Sequence, residues 1–251
     1  MEKMVCKNCG KLVKGNFCGH CGQDSKVGKI NLRNFLNEFS ESVFLINKGF
    51  FYTLINLFKH PGQSIKDFLN GKRKIHFKPV AYVLTLSTLY FLISRLTGEN
   101  TWMNDVIFGF SLGANDLESN LETPPMLIWL AENFAYTTLI MLPVYSLASY
   151  LSFLGLGRNY LEHIILNAYT TGQQAIFYSF FLLLNIFITS KYLEVAPVFI
   201  SISYNFWVFW QFFVKGNRMV NILRTILTYA LYLIFSLGLL FVINGIQLLI
   251  D

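Results

Sequence analysis

Four cysteines near the start of the chain are the residues whose types and spacing best suit chemistry. They form two C-x2-C pairs, each followed by glycine: Cys6, Cys9, Cys18 and Cys21. Two thiolates three positions apart can bind one ion from a tight turn, and two such turns supply the four sulfurs of a tetrahedral Zn²⁺ site. The spacing therefore predicts one structural zinc ion in a short β-ribbon, with no coordination position left open for catalysis.

Other uses of these cysteines fit the sequence less well. A redox C-x2-C needs one pair in a βαβ unit, and the surrounding sequence predicts no such unit. Residues 1–28 have no apolar run typical of a secretory signal, so we expect this end of the chain to stay in a reducing cytosol. His20 lies between the second pair of cysteines and is predicted to be a surface residue, because four thiolates already complete the shell.

The rest of the chain must position this ribbon, and its composition is that of a membrane protein. Of 251 residues only 14% are charged, against about 25% in soluble domains. A soluble protein would have to bury several apolar runs of span length in one small domain. We therefore predict a mainly α, polytopic membrane protein of about five spans, with four or six as alternatives. The predicted spans are 79–96, 134–154, 173–190, 193–214 and 223–249.

Lysine and arginine are distributed unevenly along the chain. Residues 1–78 carry fourteen of the 20, and the connections 155–172 and 215–224 carry one and three more. The segment 98–124 carries none but has five acidic residues. Because cytosolic loops are enriched in these cations, the pattern predicts a multi-pass protein of the cell membrane with a cytosolic N-terminus. Five spans would then place Asp251 outside.

Short amphipathic helices are predicted between the ribbon and the first span. Apolar residues recur at helical spacing over 32–46, and two further helices are predicted over 50–58 and 64–69. None is long enough to span a membrane, so they either pack on the cytosolic ends of the spans or lie in the lipid interface. The predicted domains are the zinc ribbon and linker (1–28), these juxtamembrane helices (29–78) and the transmembrane bundle (79–251).

A basic run immediately precedes the first predicted span. It consists of Lys72, Arg73, Lys74 and Lys78, and the span begins at Pro79. Cations at this depth attract anionic lipid headgroups, with about 1 kcal/mol for each close charge. We therefore predict that these four side chains contact headgroups, and we expect no nucleic-acid partner because the cations adjoin a membrane span.

Ionisable and amide side chains between the second and third spans form a second candidate site. The sequence favours a simple pairing of Arg158 and Glu162, four positions apart, on one helix face. The functional alternative is a polar pocket at the mouth of the bundle, for a metal ion, a proton or a headgroup. Its residues would be Glu162, His163, Asn167, Gln173 and Gln174. The sequence contains no phosphate-binding loop, G-x-S-x-G or H-E-x-x-H motif, and no catalytic triad is predicted.

The order of these motifs is similar to that of a known family. The C-x2-CG…FC-x2-CGQ ribbon comes first; Thr53-Leu54, Pro61-Gly62, Gly71-Lys72-Arg73 and Pro79 follow, and then Arg158…Glu162-His163. In this order the chain resembles a bacterial family of zinc-ribbon integral membrane proteins of unknown function. The resemblance implies a bacterial cytoplasmic membrane location and a zinc ribbon, and it implies no activity.

Three functions remain to be distinguished. The first is a non-enzymatic membrane protein whose cytosolic zinc ribbon docks a protein partner, as a scaffold, sensor or assembly factor. The second is a small-solute transporter or channel, for which inverted repeats and mid-membrane charges are expected and neither is evident. The third is a lipid-acting enzyme with Glu162 and His163 as acid and base. The sequence favours the first, and association of copies of the chain is left open.

Overall fold

The computed structural model of the chain describes residues 4–28, 30, 48–99, 101, 125–188 and 190–250. Within these residues the chain forms a two-stranded ribbon and eight helices, which confirms the mainly α fold class. The strands are β1 (Met4–Val5) and β2 (Leu12–Val13), and the helices are α1 (Lys48–Lys59), α2 (Pro61–Leu69), α3 (Pro79–Thr97), α4 (Pro125–Glu132), α5 (Phe134–Ser152), α6 (Tyr160–Asn185), α7 (Lys191–Phe212) and α8 (Arg218–Ile250). The helix predicted over 32–46 and most of the acidic segment lie outside the described residues.

Four of the described helices are long and apolar enough to cross a membrane. They are Pro79–Thr97, Phe134–Ser152, Tyr192–Phe212 and Arg218–Leu239. These helices correspond to the first, second, fourth and fifth predicted spans. The prediction of five spans is one higher than this set, because the third span, 173–190, falls in α6, which is not among the four.

Helix α6 lies in the middle of the bundle and contacts α1, α2, α3, α5 and α7. Its 26 residues give a length of about 39 Å at 1.5 Å per residue. It runs in the same direction as α3. Gln173 accepts a hydrogen bond from Tyr82, near the start of α3, and Asn185, at the end of α6, donates one to Glu99, just after the end of α3. Because α6 faces protein over much of its length, it can carry polar side chains that a lipid-facing helix would not.

The helix termini form two ends of the bundle, which we call the ribbon end and the far end. At the ribbon end, Lys66 Nζ of α2 donates to the carbonyl oxygen of Gln211 at 2.6 Å, and Arg158 lies 5.0 Å from the ring centroid of Phe212. The far end holds the contact between Asn185 and Glu99. Helix α2 and the ribbon-side loops therefore lie at the opposite end of the bundle from Glu99.

Helix α1 is apolar on two faces. Its buried face includes Phe50 and Leu57, which join the core formed by α2, α3, α6 and α7. Its other face exposes Phe51, Ile55 and Phe58. The buried face attaches α1 to the bundle, and the exposed face has the composition of a helix in the lipid interface.

Candidate metal centre

The four cysteines converge on one point of the ribbon. Their sulfur atoms all lie within 4.8 Å of one another, with Cys6 to Cys21 at 3.6 Å and Cys9 to Cys18 at 3.5 Å. Four thiolates around one ion at about 2.3 Å stand about 3.8 Å apart in a tetrahedron. All four thiols are free, so the arrangement has the donor set and the dimensions of a metal site.

The two halves of this centre have the same backbone geometry. In the first, the N–H of Gly10 donates to the carbonyl oxygen of Cys6 at 2.9 Å, and in the second that of Gly22 donates to Cys18 at 2.8 Å. Both glycines have positive φ, 73° and 70°, where a side chain would be strained. The glycine after each C-x2-C pair is therefore required by the turn that presents the sulfurs.

Backbone groups in these turns also favour the thiolate form. The N–H groups of Cys21 and His20 point at the sulfur of Cys18 and lower the pKa of its thiol from 9.0 to about 6. The N–H of Cys9 likewise lowers the pKa of Cys6. Deprotonated sulfur is the form that coordinates metal, so the turns favour this form at Cys6 and Cys18. At Cys9 the N–H of Lys11 acts in the same direction, but burial and the neighbouring sulfurs outweigh it and raise the pKa to about 12. The His20 side chain is exposed and outside the cluster, as expected of a surface residue.

A glutamine next to the metal centre attaches the ribbon to the turn between α2 and α3. Gln23 is 4% exposed. Its Nε2 donates to the carbonyl oxygen of Gly71 at 2.8 Å, and its Oε1 accepts from the N–H groups of Arg73 and Lys74, each at 3.1 Å. We call this set of three bonds the Gln23 clamp. It fixes the metal centre beside the point where the first candidate span begins.

The basic run takes part in the same contact. Lys72 pairs with Asp67 at 2.9 Å, with its side chain 43% exposed. The Arg73 guanidinium donates to the carbonyl oxygen of Gly28 and lies 5.7 Å from the ring centroid of Phe68. These two cations therefore contact protein, and a role of Lys72, Arg73, Lys74 and Lys78 in binding headgroups stays a prediction.

Removing the Gln23 amide should release the ribbon from this turn. We expect Gln23→Leu to weaken the attachment by about 3 kcal/mol, because three buried hydrogen bonds contribute about 1 kcal/mol each. Hydrogen exchange at the amides of Arg73 and Lys74 should then accelerate about 100-fold. Gln63→Leu is the matched control, since Gln63 is exposed and bonds to Asp67 of its own helix. Unchanged exchange in Gln23→Leu would contradict the clamp.

A buried histidine lies on the same turn. His76 is 6% exposed; its Nδ1 donates to the carbonyl oxygen of Lys72 at 2.6 Å, and its Nε2 lies 3.2 Å from the Ser64 hydroxyl. Because a carbonyl oxygen only accepts, Nδ1 carries a proton; in the neutral ring Nε2 then accepts from the Ser64 hydroxyl. Burial lowers the pKa of His76 below its ordinary 6.5, against the opposing effect of Asp67.

Acid should therefore destabilise this turn. A histidine whose folded-state pKa is depressed contributes full stability above pH 6.5, and that contribution is lost as pH falls below 6.5 because the unfolded chain takes up the proton first. We expect the thermal unfolding temperatures of the wild type and His76→Gln in detergent to converge between about pH 7.5 and pH 5.5. A difference that widens on acidification would contradict the buried neutral ring.

Two of the predicted membrane-site residues meet between α5 and α6. His163 Nδ1 lies 2.9 Å from the hydroxyl of Ser149, which also accepts from Asn167 Nδ2 at 2.8 Å. Asn167 donates in addition to Ser146 at 3.2 Å, and all four residues are buried. The result is a closed polar cluster in which serines of α5, absent from the sequence-based prediction, are the partners.

Glu162 has a different position. Its carboxylate contacts Arg158 at 3.3 Å and accepts from the N–H of Asn159 at 3.1 Å, while the Asn159 side chain accepts from the N–H of Glu162. These contacts form a capping box at the start of α6. The pairing with Arg158 that the sequence favours is thus present. The contacts of Glu162 and those of His163 involve separate sets of residues.

Comparison with known proteins gives one partial match. A family model described as "Protein of unknown function (DUF3667)" matches residues 47–91. This range includes α1, α2, the basic run and part of α3, and with them the Pro61-Gly62 and Gly71-Lys72-Arg73 elements of the resemblance. The match does not include the ribbon. The zinc ion and the bacterial origin of the protein therefore stay predictions. No curated protein and no solved structure matches the chain. Over residues 47–91, therefore, the chain is similar to a family of unknown function.

Proposed function

We propose that the chain is a non-enzymatic membrane protein whose zinc ribbon docks an acidic, apolar segment of a partner protein on the cytosolic face of the membrane. Zinc is proposed because four thiolates in a closed shell suit its tetrahedral coordination. The sulfur arrangement supports a structural ion, and the candidate spans support an anchor in the bilayer. A scaffold, a sensor or an assembly factor would each need such a docking site.

The observation that carries this proposal is exposed apolar surface on the ribbon. Val5 and Leu12 face each other across the two strands, and their side chains are 56% and 58% exposed. Phe17, in the same ribbon, is 66% exposed. A module of this size places its few apolar residues inside unless they have a partner, so neighbouring exposed ones indicate an interaction surface.

Charge indicates what kind of partner suits this surface. The ribbon, residues 4–28, carries four lysines and one acidic residue, Asp24. Exposed apolar side chains on a lysine-rich ribbon complement a segment with apolar and acidic residues, since opposite charges steer association. The Gln23 clamp supports the same proposal, because a ribbon held against the helices presents its surface in a fixed orientation.

Orientation follows from where the cations lie. Lys66, Arg158 and Arg218 all contact the last turn of α7 at the ribbon end: Lys66 donates to the carbonyl oxygen of Gln211, Arg158 lies against the ring of Phe212, and Arg218 donates to the carbonyl oxygen of Trp210. Enrichment of such cations on one side favours the cytosolic side. We propose on this basis that the ribbon end faces the cytosol of a bacterial cytoplasmic membrane, with Asp251 outside if the number of spans is odd.

The geometry gives less support to a lipid-acting enzyme. Such an enzyme would need Glu162 and His163 at one reacting group. Instead the Glu162 carboxylate pairs with Arg158 and caps the helix at Asn159, whereas His163 bonds to Ser149 on the neighbouring helix. We therefore retain docking by the ribbon as the proposed function.

Site-specific photocrosslinking in intact cells tests the docking. A photoreactive amino acid at Leu12 should give a discrete adduct with one protein, and Cys18→Ser should abolish it because the ribbon loses its metal. The control places the same amino acid at Leu96, which is 87% exposed in the last turn of α3, at the end away from the ribbon. Identical adducts at both positions, or an adduct at Leu12 only with lipid, would overturn the proposal.

A further inference from the structure

A cavity of about 200 Å³ lies where α3, α5, α6, α7 and α8 meet. Ser87 lines it near the middle of α3, and Asn205 lines it from α7. The cavity therefore lies at mid-depth of the helical bundle. It is separate from the metal centre and from the His163 cluster, and docking by the ribbon makes no use of it.

The lining of this cavity is aromatic and uncharged. Phe134, Tyr145, Tyr178, Tyr229 and Tyr232 contribute rings from three helices. Among the described residues that line it, none is Asp, Glu, Lys, Arg or His. A charged molecule at this depth would have no counter-ion and would lose its hydration. The lining therefore selects an uncharged ligand that can stack against rings.

Three buried polar atoms in the wall, on Ser87, Ser201 and Asn205, have no hydrogen-bond partner within the described residues. Asn205 is 1% exposed; its Nδ2 donates to the Tyr145 hydroxyl, whereas its Oδ1 has no hydrogen-bond partner within the described residues. The hydroxyl of Ser87, which is also 1% exposed, likewise has no hydrogen-bond partner within the described residues. Buried polar atoms without partners cost free energy, and this cost is greatest where the bilayer excludes water. Asn205 Oδ1 is an acceptor, so it suits a ligand that donates.

The volume limits the size of that ligand. A dry cavity of about 150 Å³ accommodates benzene, so the present cavity accommodates one six-membered ring with one or two small substituents. We propose that it binds an uncharged monocyclic phenol, whose ring packs among the tyrosines and whose hydroxyl donates to Asn205 Oδ1. Ser87 is placed to bond to a second polar substituent.

Photolabelling of the full-length protein in lipid nanodiscs tests this site. The label is 4-azidophenol, and the competitors are p-cresol and toluene, which differ only in the hydroxyl group. We expect labelled peptides from α5 and α7, with p-cresol competing about fivefold more strongly than toluene, as expected for one neutral hydrogen bond. Benzoate, which carries a charge, should not compete.

Three variants make the result decisive. Asn205→Leu should remove the fivefold preference for p-cresol, and Asn185→Leu, at the far end of α6, should keep it. Ala175→Phe should block labelling, because Ala175 is 5% exposed and lines the cavity. Equal competition by p-cresol and toluene in the wild type, or labelling that persists in Ala175→Phe, would overturn the proposal. Labelling of the same peptides by a photoreactive phospholipid acyl chain that p-cresol does not displace would also overturn it.

Discussion

Replacing Cys18 with serine is expected to release the bound ion and unfold the ribbon while the helices stay inserted in the membrane. Binding of a structural zinc ion contributes on the order of 10–16 kcal/mol. The ribbon cannot replace this stabilisation, since Val13 is the one buried aliphatic residue of its small core. Metal analysis of the purified protein should show about one zinc ion per chain in the wild type and almost none in the variant. Hydrogen exchange across residues 4–28 should approach the unfolded rate.

The control for this experiment is the neighbouring histidine. His20 is exposed and outside the sulfur cluster, so His20→Ala should keep both the ion and the slow exchange. A Cys18→Ser protein that still holds a full equivalent of metal would show that the four sulfurs are not the ligand set. Loss of metal in both variants would assign a ligand role to His20.

Adding one methyl group at Gly62 is expected to separate α2 from α7. A Cβ there would lie 2.4 Å from Gln211 Cβ and 2.6 Å from the backbone nitrogen of Phe212. The N–H of Gly62 also donates to Gln211 Oε1 at 3.1 Å, so the two backbones meet directly. Because backbone must move, we expect Gly62→Ala to cost about 3 kcal/mol and to lower the unfolding temperature in detergent by about 5–10 °C.

A glycine in open space provides the comparison for Gly62→Ala. Gly238 lies inside α8, and an added Cβ would meet no atom within 4 Å. Gly238→Ala should stabilise the protein by up to about 1 kcal/mol, as alanine does in helix interiors. Similar unfolding temperatures for the two variants would show that α2 does not rest on α7 as described.

Features set by neighbouring residues were predictable from the sequence. The cysteine site is one, because each pair binds from a single turn and its glycine marks the positive φ. The first candidate span is another: it was predicted over 79–96 and is found at Pro79–Thr97. Pro79 begins the helix because proline suits a first turn, and Gly98 ends it at φ 72°. Both signals are local.

Features that depend on distant residues were not predictable in this way. Gln23 was assigned to a polar linker, yet its partners lie about fifty positions away in a turn whose approach no sequence pattern reveals. The third predicted span starts at 173, or earlier near Ile164, in a part of the sequence that contains polar residues. In the fold His163 and Asn167 bond to a serine of α5, so these polar residues belong to the helix, which begins at Tyr160.

The predicted grouping of Glu162 with His163 has a similar explanation. Consecutive residues on a helix point about 100° apart, since one turn holds 3.6 residues. Glu162 therefore folds back on the helix start, whereas His163 faces α5. Asn167, four residues after His163, shares its face of the helix and its partner Ser149. The four-residue spacing of His163 and Asn167, rather than the adjacency of Glu162 and His163, was the sequence signal that could have identified the cluster.

If a partner docks on the ribbon as proposed, the Gln23 clamp would connect that docking with metal binding. The same residue closes the second cysteine turn, because its carbonyl oxygen accepts from the N–H of Cys18 at 2.8 Å, while its side chain holds the segment that leads into α3. Thermodynamic reciprocity would then apply: if the bound ion raises the ribbon's affinity for the proposed partner by some factor, the partner raises the affinity for the ion by the same factor. Resistance of the ion to a chelator would then increase when the proposed partner is bound.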